Sequence, residues 1–409
     1  MLNPLPVVLA DIRRSRLGFL SVVGLIAVAV ALGVAVSAQD RALRRGSASA
    51  ADSFDLLVGA PGSPTQLVLT SVYLQPAAIP LVPGAVLRRL QAETGAVYVA
   101  PIAFGDRYRS HPVVGSTAEF VTRGGTLRPT EGRVFASEHE VVIGADVALA
   151  MGARFSPSHG PAVHRSEPEG EADDHDHHDV EYVVVGRMPR MGTPWDRAIV
   201  VPVEAVWEVH GLPTGHADGD KRIGPPWDGP YLSGVPAIVV KPKTVADAYK
   251  LRGKYRTEGT TAVFPAEVLV ELYSLLGDAR DLLAAISVAT QALVIAAILL
   301  AVFASLALRR RQLAVLRALG ASRGYVFAVV WTHVSLMILL GAGLGLCLGW
   351  LGAVALSAAF SARTGIALPV TLAAQEIWMV VAVIGVGMLL AAIPSWSSYR
   401  HSVSSGLRG

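Results

Sequence analysis

Cysteine is nearly missing from this chain: Cys347 is the single one in 409 residues, so no intramolecular disulfide can form. It lies inside an apolar run and leaves the redox compartment undetermined. Charged residues are also few, at 16%, and aromatics make up 7%. The arginine clusters stand beside apolar runs and are not interleaved with aromatics, which argues against a nucleic-acid partner. A phosphate cradle is missing too. Its nearest approach, Gly253-Lys-Tyr255, has neither the upstream glycine at the right spacing nor a Ser or Thr after the lysine. His139-Glu140 opens like a zinc-protease motif, but Ile143 stands where the second histidine is needed. No nucleophile sits in a recognisable elbow. His139 therefore reads as a surface or loop histidine, and the chain as a non-enzyme without its own ATPase site or bound cofactor.

What the chain has in quantity is apolar sequence. At 52% hydrophobic residues and a mean hydropathy of +0.47, it is too apolar for an ordinary soluble enzyme. It is also too polar for membrane spans alone, so spans plus a sizeable polar domain are expected. Leu17–Ala38 is nearly uncharged and about long enough for a ~30 Å hydrocarbon core. Arg13, Arg14 and Arg16 precede it and hold the N-terminal segment, residues 1–16, in the cytoplasm. A cleaved signal peptide is the rival reading, with Val36-Ser-Ala38 as its cleavage site, but the apolar run exceeds a usual signal core. Further spans are expected at 281–308, 325–351 and 377–396. The first of these continues a helical stalk that begins near Pro265. Five arginines (Arg309, Arg310, Arg311, Arg317 and Arg323) lie between the second and third spans, and Arg400 and Arg408 follow the fourth in the tail, residues 397–409. Only Arg363 stands between the third and fourth. The bias places both termini in the cytoplasm and exports the long polar block.

That block, residues 39–278, carries short β-rich runs broken by Gly and Pro. Glu140–Gly144, Val180–Gly186, Ala198–Val201 and Ala237–Lys241 read as strands. Ala145–Met151 reads as a short helix, and Thr244 as the cap of a helix reaching about Thr257. The fold class is thus four transmembrane α-helices with a large α+β extracytoplasmic domain between the first and second spans. Within the block, residues 156–180 form an insert dense in His and acid. His175, His177 and His178, with Asp174, Asp176 and Asp179, offer donors suited to zinc or another transition metal. The same Glu/Asp/Gly/Pro content also describes a solvated loop with no ligand.

Two features inside the membrane portion stand out. Residues 309–324 form a basic segment in which Leu313, Leu316 and Leu319 repeat every three residues among Arg310, Arg311, Arg317 and Arg323. On a helix this is a narrow apolar ridge flanked by cations, closed by Gly320 as a C-cap. Read alone, it is either an anchor among anionic lipid headgroups or a docking surface. Gly341, Gly345 and Gly349 repeat every four residues in the third span and permit close helix approach, within one chain or across a homodimer. His333 in the same span reads as a hydrogen-bonding group toward a neighbouring helix.

The string Arg309-x-x-Gln-Leu-Ala-Val-Leu-Arg-Ala-Leu-Gly-Ala-Ser322 resembles the cytoplasmic coupling segment of the FtsX/MacB/LolC-type ABC transporter permeases, departing at Gln312, where that family usually carries Glu. Glu140–Gly152, Tyr182–Pro189 and Arg197–Val203 resemble the periplasmic domain of MacB-like members. The resemblance implies a permease subunit, working as a homodimer with a separate ABC ATPase docked on the coupling segment. It also implies a periplasmic adaptor, lipoprotein or hydrolase as extracytoplasmic partner. Export or extraction of a lipoprotein, peptide or small molecule is the expected task. The alternatives are a mechanotransmitter that regulates a periplasmic hydrolase and a metal-responsive membrane sensor.

Overall fold

A computed structural model describes residues 3–159, 180–217, 219–275 and 320–400, with isolated positions between 277 and 296. The chain forms two compact units, one of Met1–Arg45, Leu276–Ala359 and Leu368–Gly409, the other of Gly46–Leu275 and Phe360–Ala367. The helices are α1 (Leu5–Arg14), α2 (Arg16–Ala51), α3 (Pro64–Ser71), α4 (Gly84–Gln91), α5 (Ala118–Val121), α6 (Val203–Val209), α7 (Val245–Tyr255), α8 (Pro265–Leu275), α9 (Arg323–Thr364) and α10 (Ala374–Arg400).

The second unit is built on one sheet. Its strands are β1 (Leu56–Gly59), β2 (Ala96–Tyr108), β3 (His111–Ser116), β4 (Glu131–Gly132), β5 (Glu140–Ile143), β6 (Arg154–Phe155), β7 (Ser158–His159), β8 (Tyr182–Arg187), β9 (Ile199–Pro202), β10 (Ala237–Pro242) and β11 (Thr261–Val263). The main path runs β11-β1-β10-β2-β3-β9-β5-β8-β4, with β6 on β8 and β7 on β2. The β3–β9 and β5–β8 pairs are parallel; the other strand pairs are antiparallel.

Successive strand residues point to opposite faces, and here both faces are buried. Leu56, Val58, Ile238 and Val240 enter one core with Leu87 and Leu90 of α4, Trp207 of α6 and Leu251 of α7. Leu57, Val239 and Ala237 enter the other with Val68 of α3, Phe120 of α5 and Leu269 of α8. The result is three layers, helices on each side of the sheet. It explains why β9 and β10 read as unbroken runs of Ile, Val and Ala, with no alternation. The four expected strands lie at β5, β8, β9 and β10, and Thr244 caps α7 by accepting from Asp247 N at 3.1 Å.

One expected element is absent: Ala145–Met151 is irregular and not helical. Its polar backbone groups are satisfied from elsewhere. Asp146 N donates to Asp196 O at 2.7 Å. The Arg187 guanidinium donates to Leu149 O at 2.6 Å and to Val147 O at 2.9 Å, taking the carbonyl that a helix would pair with the Met151 amide. Just upstream, a Cβ on Gly144 would lie 2.4 Å from the backbone carbonyls of both Trp195 and Asp196. Expected signals in 160–179 lie outside the described residues.

In the first unit, α2 and α9 are long and apolar enough to cross a membrane, and Ala374–Leu390 of α10 is a shorter apolar stretch. At 36 residues α2 is about 54 Å long, well beyond a ~30 Å core. It supplies residues through Arg45 to this unit and the remainder to the other. The expected span at 281–308 falls outside the described residues apart from isolated positions. Residues 1–16, expected only as a cytoplasmic segment, contain α1, whose Leu5 and Leu9 are exposed and whose Val8 is buried.

Substituting Gly144→Ala forces the carbonyls of Trp195 and Asp196 apart, and a loss of about 1–3 kcal/mol is expected. Thermal unfolding of the purified chain checks this, and an unchanged midpoint would show that the backbone after β5 has room for a methyl group.

Candidate functional site

Residues 320–322 lead into α9 through a short turn. Gly320 has a φ of +98°, the left-handed region that suits glycine, and a Cβ there would touch nothing within 4 Å. Two residues later Ser322 starts α9: its Oγ accepts from Tyr325 N at 3.2 Å and its carbonyl from Val326 N at 3.2 Å. Arg310, Arg311, Leu313, Leu316, Arg317 and Leu319 lie outside the described residues, as do His175, His177 and His178.

Beyond the cap, α9 turns its glycines onto α2. A Cβ on Gly341 would lie 2.6 Å from Ile26 Cβ, one on Gly345 2.7 Å from Ala27 O, and one on Gly349 2.6 Å from Ala31 O. The stripe is therefore used inside the chain, where it lets α2 backbone carbonyls reach the surface of α9. Around it Phe19, Val23, Ile26, Val30 and Val34 of α2 pack with Val334, Met337, Ile338 and Ala342 of α9 and Val380 of α10. His333 faces α1, with Nδ1 3.5 Å from Asp11 Oδ2, and its ring meets Phe19 edge-on at 5.7 Å.

At the other end of the same helices is a clamp that the sequence reading missed. Glu376, fully buried at the start of α10, takes both prongs of the Arg41 guanidinium, at 2.7 and 2.8 Å. Ser37 Oγ donates to it at 2.7 Å and Ala373 N at 2.9 Å. Arg41 also donates to Thr371 O, and Arg45 to Thr371 Oγ1. This ties α2 to the segment leading into α10 by charge-assisted, two-pronged hydrogen bonds. The available signal was a lone glutamate at the head of an uncharged run, which in a membrane segment demands a partner.

In the α/β unit, titratable groups gather around α6. Glu204 is fully buried, and its Oε1 accepts from Gly224 N at 2.8 Å and Trp227 Nε1 at 2.6 Å. Burial pushes its carboxyl above the ordinary range. The Glu138 carboxyl is raised to about 7, first by burial and then by the neighbouring Glu208 carboxyl, with which it shares a hydrogen bond. Next to Glu204 stands His216, Nε2 to Oε1 3.5 Å. Among the described residues, His216, Asp220 and Asp228 are the group whose donor atoms come within 4.8 Å of one another.

The Arg41–Glu376 pair is expected to contribute strongly to the stability of the membrane unit. Glu376→Gln leaves a guanidinium without its counter-charge and should cost about 3 kcal/mol, while adding Arg41→Met recovers part of the loss. Thermal unfolding in detergent of the single and double variants tests this; equal melting of the wild type and Glu376→Gln would mean the pair contributes nothing. The Glu138 carboxyl is raised in the folded chain, so the stability tied to its proton is present at low pH and is lost as pH rises through about 7. The melting temperature should fall from about pH 5 to about pH 8 and fall less in Glu138→Gln; parallel curves for the two proteins would contradict this.

Residues 284–405 match the family of FtsX-like permeases, over its C-terminal domain. No curated protein matches the chain. Two solved structures are similar to part of it. One is the periplasmic region of MacB from Actinobacillus actinomycetemcomitans, 10% identical, covering 54% of this chain and 94% of that one, with a TM-score of 0.33. The other is the extracellular domain of the noncanonic ABC-type transporter YknZ from Gram-positive bacteria, 13% identical, covering 51% and 98%, with a TM-score of 0.30.

Proposed function

We propose that this chain, which carries an FtsX-like permease domain over residues 284–405, is the membrane subunit of an ABC transporter in a bacterial inner membrane. The family match is the observation that carries the reading, because it spans the basic segment and the two spans that follow. On this reading ATP is hydrolysed by a separate ATPase. That subunit docks on the ridge of Leu313, Leu316 and Leu319, among Arg310, Arg311 and Arg317, and Gly320 ends the docking helix.

Two copies pair with two ATPases, and nucleotide-driven closure pushes on the docking segments. Each chain needs stiff elements to carry that push outward. The close α2–α9 packing through Gly341, Gly345 and Gly349 supports such stiffness, as does the Arg41–Glu376 clamp. The 36-residue α2, which is longer than the bilayer core, supports it as well. The chain crosses the membrane four times, with both termini cytoplasmic and the α/β unit periplasmic; the apolar runs support the spans and the arginine distribution supports their orientation. The cargo is a lipoprotein, a peptide or a small molecule handled on the periplasmic side, delivered with or to an adaptor. The size of the exported block favours this over regulation of a periplasmic hydrolase, for which a much smaller block would serve.

Leu316→Asp puts a charge on the docking ridge and is expected to abolish association with the ATPase while leaving membrane insertion intact. Co-purification in mild detergent with mass-spectrometric identification of bound subunits reads this directly. An ATPase recovered equally with both proteins would place the docking surface elsewhere. Recovery of a cell-wall hydrolase in place of a lipoprotein or adaptor would favour regulation over transport.

A further inference from the structure

Residues 210–236 connect α6 to β10, and this connection is pinned at several points. Gly229 N donates to Gly215 O at 2.8 Å, Ser233 Oγ donates to Pro213 O at 2.6 Å, and Thr214 bridges Leu232. The loop closes over α6, where Trp227 is 2% exposed and meets Trp207 edge-on. Inside it lies His216, whose side chain is 1% exposed and whose two ring nitrogens are both buried without a hydrogen bond. An imidazole buried in this way is unfavourable unless something takes its lone pair. Behind it stands Glu204, equally buried, 3.5 Å from His216 Nε2. Beside it are Asp220 and Asp228, whose carboxylates come within 4.8 Å of the imidazole and of each other. The loop thus holds one imidazole and two carboxylates around a common point, with a buried carboxylate positioned behind the ring.

We infer that this loop is a binding site for a divalent transition metal ion such as zinc, held by His216, Asp220 and Asp228. One nitrogen and two carboxylate oxygens make a donor set suited to zinc, with a fourth position left for water. Glu204 completes the pattern in which a carboxylate behind a metal-bound histidine fixes its ring and raises its basicity. The geometry already accommodates a cation: Arg222 Nε donates to Asp220 Oδ2 at 2.7 Å, and its terminal nitrogen reaches both oxygens of Asp228 at 3.2 Å. Arg222 is half exposed, so it can swing into solvent when a metal ion takes its place, whereas it gives the ring nitrogens of the buried His216 no hydrogen bond. The metal ties Asp220 and Asp228 to His216 within the loop, which reaches α6 through the His216–Glu204 contact. This assignment uses none of His175, His177 and His178 and does not rest on the transport reading.

The test uses the full chain in detergent, without a polyhistidine tag, stripped with chelator, in a background where His175, His177 and His178 are alanine. Zinc is measured by competition with a chromophoric chelator, and cobalt(II) by its visible absorption. One zinc ion per chain is expected, with a cobalt spectrum that disappears in His216→Gln. Asp220→Asn and Asp228→Asn alter more exposed side chains and should keep the fold while weakening zinc by about tenfold or more. Arg222→Ala, which removes the competing cation, should bind zinc more tightly. No zinc binding by the folded background chain would overturn the assignment. Unchanged zinc affinity in the two asparagine variants would overturn it as well. Neither result depends on ATPase association.

Discussion

The membrane unit depends on the absence of three side chains. Where α9 crosses α2, any residue larger than glycine at 341, 345 or 349 would place its Cβ within 2.6–2.7 Å of an Ile or Val side-chain carbon or a backbone carbonyl. Lipid is as apolar as leucine, so burial alone does little to bring helices together there, and close van der Waals contact must do it. The glycines supply that contact over two full helical turns. Val23, Ile26, Val30 and Val34 then interdigitate with Val334, Met337 and Ile338. At the far end the attraction changes character: Arg41 and Glu376 are held by geometry and charge in a place where neither is tolerable alone.

The α/β unit solves a different problem. A sheet buried on both faces has no exposed face to mark its register, so helices on each side must match it. Val and Ile runs in β9 and β10 meet that need, and the irregular stretch after β5 shows its limits. There Arg187 donates to two carbonyls, and the backbone of Trp195 and Asp196 lies against Gly144, leaving no room for a helix.

Much of this was legible in the sequence, and the parts that were not have identifiable reasons. The strands at Glu140, Tyr182, Ile199 and Ala237 announced themselves because β-branched runs bounded by Gly and Pro are a local signal. Thr244 did so because an N-cap is local too. The helix expected at Ala145–Met151 failed because its fate is decided by Arg187 and Asp196, distant in sequence. The glycine spacing at 341, 345 and 349 pointed to close packing, but spacing does not say which helix lies opposite. The Arg41–Glu376 pair spans most of the chain, so no window of sequence contains both residues. His216 looks ordinary in sequence: Asp220 follows four residues on, but only the fold brings Glu204 and Asp228 beside it. The denser histidines at 175–178 were the more conspicuous metal signal, because composition is visible without a fold.

Committing one face of α9 to α2 leaves another uncovered. Leu344, Leu348 and Leu351 are about half exposed there, and Cys347, the chain's lone thiol, is exposed among them. The native sequence therefore carries a single chemically addressable point on a transmembrane face, with no competing thiol to remove. A spin label or fluorophore attached to it reports on that face alone. If two chains meet across it, the distance between their reporters becomes a ruler for the assembly, readable in the unmutated protein.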